Sequence, residues 1–118
     1  MRPIPQKLRD EMVSDPFYQR CCLDTYNMHN HLKGVGGQCE GRIEWHHNLI
    51  VAGRQLNTHW AILPLCHLHH DKLNSQTKEV LNWIMLNRAT EQELSEVSKA
   101  VNYKGLRDRL NKVYGKYN

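Results

Sequence analysis

The stretch 43–74, IEWHHNLIVAGRQLNTHWAILPLCHLHHDKLN, gathers five of the chain's eight histidines into two tight clusters. The first is His46-His47; the second is Cys66, His67, His69 and His70. Between them lie the turn formers Gly53 and Asn57 and the apolar run Trp60 to Leu65. The pattern reads as strand, loop, short strand, helix. Neutral imidazole and thiolate are preferred ligands of zinc and related ions. A helix beginning near His67 stacks positions 66, 69, 70 and 74 on adjoining turns. Adjacent strand residues face opposite sides, so two arrangements of the His46-His47 pair are open. Either one imidazole binds an ion while the other acts separately, or a local twist brings both to one edge.

These residues resemble the HNH endonucleases of the ββα-metal superfamily, in particular small phage and prophage members. The resemblance is carried by WHH on the first strand, GRQLN in the loop, PLCHLHH leading into the helix, and Asn74 four residues after His70. It covers roughly a quarter of the chain. The resemblance implies an α+β fold built on a ββα-metal hairpin and helix, with flanking helices. It also implies hydrolysis of DNA phosphodiester bonds. His47 takes the place of the general base, and His46, His70 and Asn74 take the places that hold one catalytic divalent cation (Mg, Mn, Ni or Zn), a Lewis acid for the phosphate and the leaving 3′-oxygen. The departure lies mid-motif, where Ala61 stands at the position usually given to a loop-fixing Asn. Asn57 is the nearest substitute for that catalytic-loop role, although an Asn beside turn residues also serves simply as a turn former.

Cys21 and Cys22 open a second informative region, which Cys39 closes. With Cys66 and His69 they offer a Cys3His set with one cysteine to spare, suited to a closed tetrahedral zinc. The preferred structural ligands are Cys22, Cys39, Cys66 and His69, with Cys21 the alternative to Cys22. In a small domain such an ion contributes directly to fold stability; the competing reading is buried free thiols. The polar, glycine-ending insert 23–38 reads as a surface excursion, and its His29 and His31 as solvated rather than ligating.

At 118 residues, 40% hydrophobic and 24% charged, the chain suits a single domain with one modest core. It divides into an N-terminal helix (1–20), a zinc knuckle with the ββα core (21–74) and C-terminal helices with a basic arm (75–118). No stretch approaches a membrane span and no apolar leader opens the chain, which sets the expectation of a cytoplasmic protein, in a bacterial host if the phage resemblance holds. There, four cysteines point to metal or free thiols rather than disulfides.

The net charge of +4 is uneven, because residues 99–118 carry six basic side chains against Asp108 alone. This arm, with Lys104, Arg107, Arg109 and Lys112, and Arg54 from the loop, is the expected DNA contact; a solvated helix face is the plain alternative. Upstream of the arm, Val80, Leu81, Ile84 and Met85 recur at helical spacing as core, Thr90-x-x-Glu93 forms a capping box opening a helix through Val101, and Gly105 precedes or begins a last helix.

The function expected is therefore a metal-dependent endonuclease supported by a separate structural zinc. The alternative is a non-catalytic zinc-containing DNA-binding module. Sequence specificity, any recombination or packaging partner in a phage, and the oligomeric state are left open.

Overall fold

The structure is a computed structural model and describes residues 3–26, 28 and 39–115. The chain folds as α+β. A helix α1 (Gln6–Ser14) starts after Pro5, whose fixed φ suits a helix entry, and ends before Pro16. A 3₁₀ turn (Pro16–Gln19) and the short helix α2 (Cys22–Thr25) follow. Strand β1 (Ile43–His47) pairs antiparallel with β4 (Ile62–Cys66), in a register that sets Ile43 opposite Cys66 and His47 opposite Ile62. Between these strands a small hairpin of β2 (Ile50–Val51) and β3 (Arg54–Gln55) turns through Ala52 and Gly53. Both turn residues have positive φ, 52° and 79°, which is the requirement of a two-residue hairpin loop and the reason glycine suits the second position.

β4 runs directly into α3 (His67–Asp71), which is followed by α4 (Ser75–Arg88), α5 (Glu91–Val97) and α6 (Tyr103–Tyr114). Every residue of β4 is buried, whereas β1 is half-buried throughout. The main core joins Leu63 and Leu65 of β4 to Val80, Leu81, Ile84 and Leu86 of α4, with Leu94 of α5 and Leu110 of α6. A second cluster of Met12, Tyr18 and Ile62, with Trp45 and Leu8 packed on it, fastens the N-terminal helix to the sheet. Tyr18 donates its hydroxyl to the Ile62 carbonyl at 3.0 Å and lies against the His59 carbonyl, while the Arg88 guanidinium sits 3.8 Å over the Phe17 ring, an arrangement favoured by the ring quadrupole.

Three sequence expectations change here. The helix beginning at His67 ends at Asp71, because Lys72 leaves helical geometry (φ −109°, ψ 36°) and Asn74 is extended (φ −131°, ψ 179°). Asn74 therefore belongs to the start of α4. The opening of the insert is also core rather than surface: Leu23 is fully buried and Met28 is buried with it, while His29 and His31 lie outside the described residues. The capping box is present, with Glu93 N–H donating to Thr90 Oγ1 at 3.1 Å and Thr90 N–H to Glu93 Oε1 at 2.8 Å, but α5 stops at Val97 and Gly105 lies within α6.

Candidate metal centre and active-site cleft

Two groups of side chains flank the β1–β4 pair. The first is Cys21, Cys39, Cys66 and His69, whose ligand atoms all lie within 4.8 Å of one another. Cys66 ends β4 and caps α3, its Sγ accepting from the His69 N–H at 3.5 Å, so the Cys66-x-x-His69 spacing folds both ligands into one turn. Cys39 is delivered by two backbone ties that fasten segment 40–42 to the start of α3: His67 N–H to the Arg42 carbonyl (2.9 Å) and Leu68 N–H to the Glu40 carbonyl (3.1 Å). Gly41 makes this approach possible. Its φ is +87°, and a Cβ there would stand 2.7 Å from His67 Cβ. Cys21 arrives at the mouth of α2, its carbonyl accepting from the Asp24 and Thr25 N–H groups.

The fit of this set to zinc can be tested on distances. Zn–S bonds of about 2.3 Å and Zn–N bonds of about 2.0–2.1 Å around a tetrahedron require S···N edges of roughly 3.6 Å. His69 Nδ1 lies 3.7 Å from Cys21 Sγ, 3.6 Å from Cys39 Sγ and 3.1 Å from Cys66 Sγ. Cys21, Cys66 and His69 are buried and Cys39 is half-buried. Burial pushes the Cys21 and Cys39 thiols up, and for Cys39 the neighbouring Cys21 adds to the rise. Bunched thiols that resist ionising alone become good ligands when a divalent cation offsets their charge. The set is suited to hold a structural metal such as zinc.

The sequence points to Cys22 as the fourth member, and the structure brings Cys21 to the cluster instead. Cys22 is the first residue of α2 and lies fully buried in the apolar core, where burial holds its thiol well above the usual range. Adjacent cysteines at a helix start point apart, and only the capping one reaches the other ligands.

The second group lies on the other side of α3 from the cluster's histidine. Glu44 and His46 are two apart on β1 and so share a face. His46 meets His70 of α3, the ring centroids 5.1 Å apart and the planes at 67°. His70 Nδ1 lies 2.8 Å from Glu44 Oε1, so its proton sits on Nδ1 and the lone pair on Nε2. Glu44 also takes His67 Nδ1 at 3.2 Å and Arg42 at 2.9 Å, and His70 first, then His67, hold its carboxyl below the usual range. His46 is pushed down to about 4, by burial first and then by His70, with His47 and Lys78 acting in the same direction. At neutral pH it is an uncharged imidazole with a lone pair to give.

His46 Nε2 lies 3.2 Å from Asn48 Oδ1. The Asn48 amide is held by its other end, which donates to Asn82 Oδ1 (3.0 Å) and Met85 Sδ (3.4 Å) of α4. His47, on the opposite side of the strand, has its own partner: Nε2 is 2.7 Å from Asn57 Oδ1, and Asn57 Nδ2 donates to the Pro3 carbonyl at 3.2 Å. With the amide so oriented, His47 carries its proton on Nε2 and its lone pair on Nδ1. Both histidines nevertheless line one open cleft of about 310 Å³, together with Asn48, Ile50, Lys78 and Asn82. Because β1 ends at His47, the strand leaves both rings at its rim.

Of the other expected site residues, Asn74 does not join this group. Its Oδ1 accepts from the Thr77 N–H (2.8 Å) and hydroxyl (3.0 Å) as the N-cap of α4, and α3 has already ended. Arg54 is exposed on β3, opposite Val51. On α6, Lys104, Arg109 and Lys112 are exposed, but Arg107 is committed to Glu91 and Asp108, both at 3.2 Å. The arm is also set away from the cleft. α6 meets α4 through Trp83 and Asn87, which donate to Asn111, and through Glu79, which accepts from Tyr114. At 3.6 residues per turn the mean direction of those three positions lies roughly 120° around α4 from that of Lys78 and Asn82, the individual pairs ranging from about 60° to about 180°. Lys116 lies outside the described residues.

Sequence reasoning missed Glu44, Asn48, Lys78 and Asn82. Glu44 was detectable, since a carboxylate two residues before a strand histidine shares its face. The α4 residues were hidden in a helix whose other positions are core. No helix among the described residues is long and apolar enough to cross a membrane. No family model, curated protein or solved structure matches the chain.

Proposed function

We propose that the protein is a metal-dependent DNA endonuclease of the HNH, ββα-metal type, of phage or prophage derivation. The observation that carries this reading is the pairing of His46 with His70 beside a cleft that His47 also lines. A structural module has no need of two imidazoles lining an open cleft, with a third packed on one of them, when its Cys3His cluster lies elsewhere. His46 and His70 are the residues to hold a catalytic divalent ion, in a shell otherwise completed by water and phosphate. Such an ion, when bound, supplies Lewis-acid stabilisation of charge on the phosphate and the leaving 3′-oxygen.

The chain's own residues divide the remaining work. Glu44 orients His70 and raises the basicity of its Nε2, as carboxylates do behind metal-bound histidines. Asn57 Oδ1 accepts a hydrogen bond from the His47 Nε2–H and so leaves the Nδ1 lone pair for an attacking water. His47 then takes that water's proton as the phosphodiester is attacked. The Cys3His cluster fastens Cys39, α2 and α3 to the end of β4, and thereby fixes where His70 stands.

The test is cleavage of supercoiled plasmid in magnesium or manganese. The parent protein cuts, and His47→Ala loses about 10²–10⁴-fold in rate, the usual worth of a general base, with zinc content and thermal melt unchanged. Binding of DNA without cleavage by the parent would instead point to a non-catalytic zinc-containing module.

A further inference from the structure

Among the described residues that line the cleft beside His46 and His47, Lys78 is the one formally charged side chain; the others are histidine, asparagine and isoleucine, with no carboxylate. Lys78 and Asn82 are four apart on α4 and so project from one face. Asn82 is fixed at the cleft by the Asn48 amide, which places Lys78 one turn nearer the helix start. Glu79, the neighbouring acid, faces elsewhere and accepts from Tyr114 at 2.6 Å. Lys78 is exposed and has no carboxylate partner among the described residues.

Its position is electrostatically unfavourable without a ligand. The Lys78 N–H bonds to the carbonyl of the N-cap Asn74 at 2.9 Å, so the residue stands at the close of the first helical turn. There the helix dipole places partial positive charge, and cations are disfavoured. An anion seated in the cleft relieves both the lysine and the helix end. Across the cleft, Ile50 exposes 62% of its surface, offering an apolar edge for a sugar or base beside that anion.

We infer that Lys78 is a phosphate-holding residue for the substrate strand, gripping a backbone phosphate in the His46–His47 cleft and setting the path of the nucleic acid across it. This rests on the nuclease reading and gives it a contact from α4, a helix that the sequence presents as core. A point-charge ammonium on a backbone phosphate fixes position without itself selecting sequence. The basic residues of α6 then form a second, more distant contact.

The experiment uses the full chain carrying His47→Ala, so that the probe is not cut, and a short fluorescein-labelled DNA duplex of arbitrary sequence. Binding is measured over a range of NaCl concentrations in calcium buffer. Adding Lys78→Gln is expected to weaken binding roughly three- to tenfold and to reduce the slope of log affinity against log salt by about 0.9, one phosphate contact. Lys78→Arg restores both. Unchanged affinity and slope in Lys78→Gln, while the parent still cleaves plasmid, overturns the assignment and leaves the nuclease reading standing. A loss of affinity with the parental slope, or without rescue by Arg, marks a merely structural role and also overturns it. If the parent neither binds nor cuts DNA, both readings fall together.

Discussion

His70 Nδ1 stands 2.8 Å from Glu44 Oε1, a contact between α3 and β1 that decides which nitrogen of the imidazole is left for an ion. Replacing the carboxylate by an amide keeps the shape and removes the charge that favours this tautomer. Glu44→Gln is therefore expected to weaken manganese binding at His46 and His70 by about 10–100-fold, with zinc content unaffected. Calorimetric titration with manganese checks this; parental affinity in the variant would show that Glu44 does not support the site.

Asn57 makes the corresponding contact to His47, at 2.7 Å. Asn57→Ala removes the acceptor that orients the ring, so the cleavage rate should fall by about tenfold or more. The double variant Asn57→Ala, His47→Ala should cut no more slowly than His47→Ala alone, as expected for groups acting as one unit. Additive losses in the double variant would separate the two residues.

The two adjacent cysteines should behave oppositely. Cys21→Ser removes a cluster ligand and should abolish or sharply reduce bound zinc, with loss of cooperative melting. Cys22→Ala removes only a buried thiol from the core and should retain one zinc per chain, at a modest cost in stability. Metal analysis of the purified proteins gives the answer directly, and zinc loss in Cys22→Ala with retention in Cys21→Ser would reverse the assignment.

Gly41 is needed for its backbone and for its missing side chain together. At φ +87°, with His67 Cβ 2.7 Å from the position of an added methyl, Gly41→Ala should cost about 1–3 kcal/mol and loosen the segment that presents Cys39. Urea unfolding with and without a zinc chelator measures this: the destabilisation should be larger before chelation than after, because the segment is held most tightly when the cluster is closed. Equal stability of variant and parent would contradict the packing described.

How far the sequence could be read follows the range of the interactions concerned. The strand character of β1 and β4, the Cys66-x-x-His69 turn and the Thr90–Glu93 capping box depend on local spacing, and each was legible. Asn74 was misplaced because the identity of a helix interrupted at Lys72 and resumed at Ser75 rests on backbone dihedrals that no periodicity reveals; Asn at a helix start is as good a cap as it is a ligand. Cys21 and Cys22 differ only in which side of a single turn they occupy, and that is set by the packing of α2 on β4. The Asn48–Asn82 link joins residues that are 34 apart in sequence, so the contribution of α4 to the cleft became visible only in three dimensions.

Crystals grown with zinc and manganese test for two separate metal positions through anomalous scattering at each metal's absorption edge. A zinc peak enclosed by Cys21, Cys39, Cys66 and His69 is expected, with a distinct manganese peak between His46 and His70, open toward the cleft that His47 lines. A single zinc peak with no ordered manganese at His46 and His70, or an ion there enclosed by four protein ligands, would contradict this arrangement.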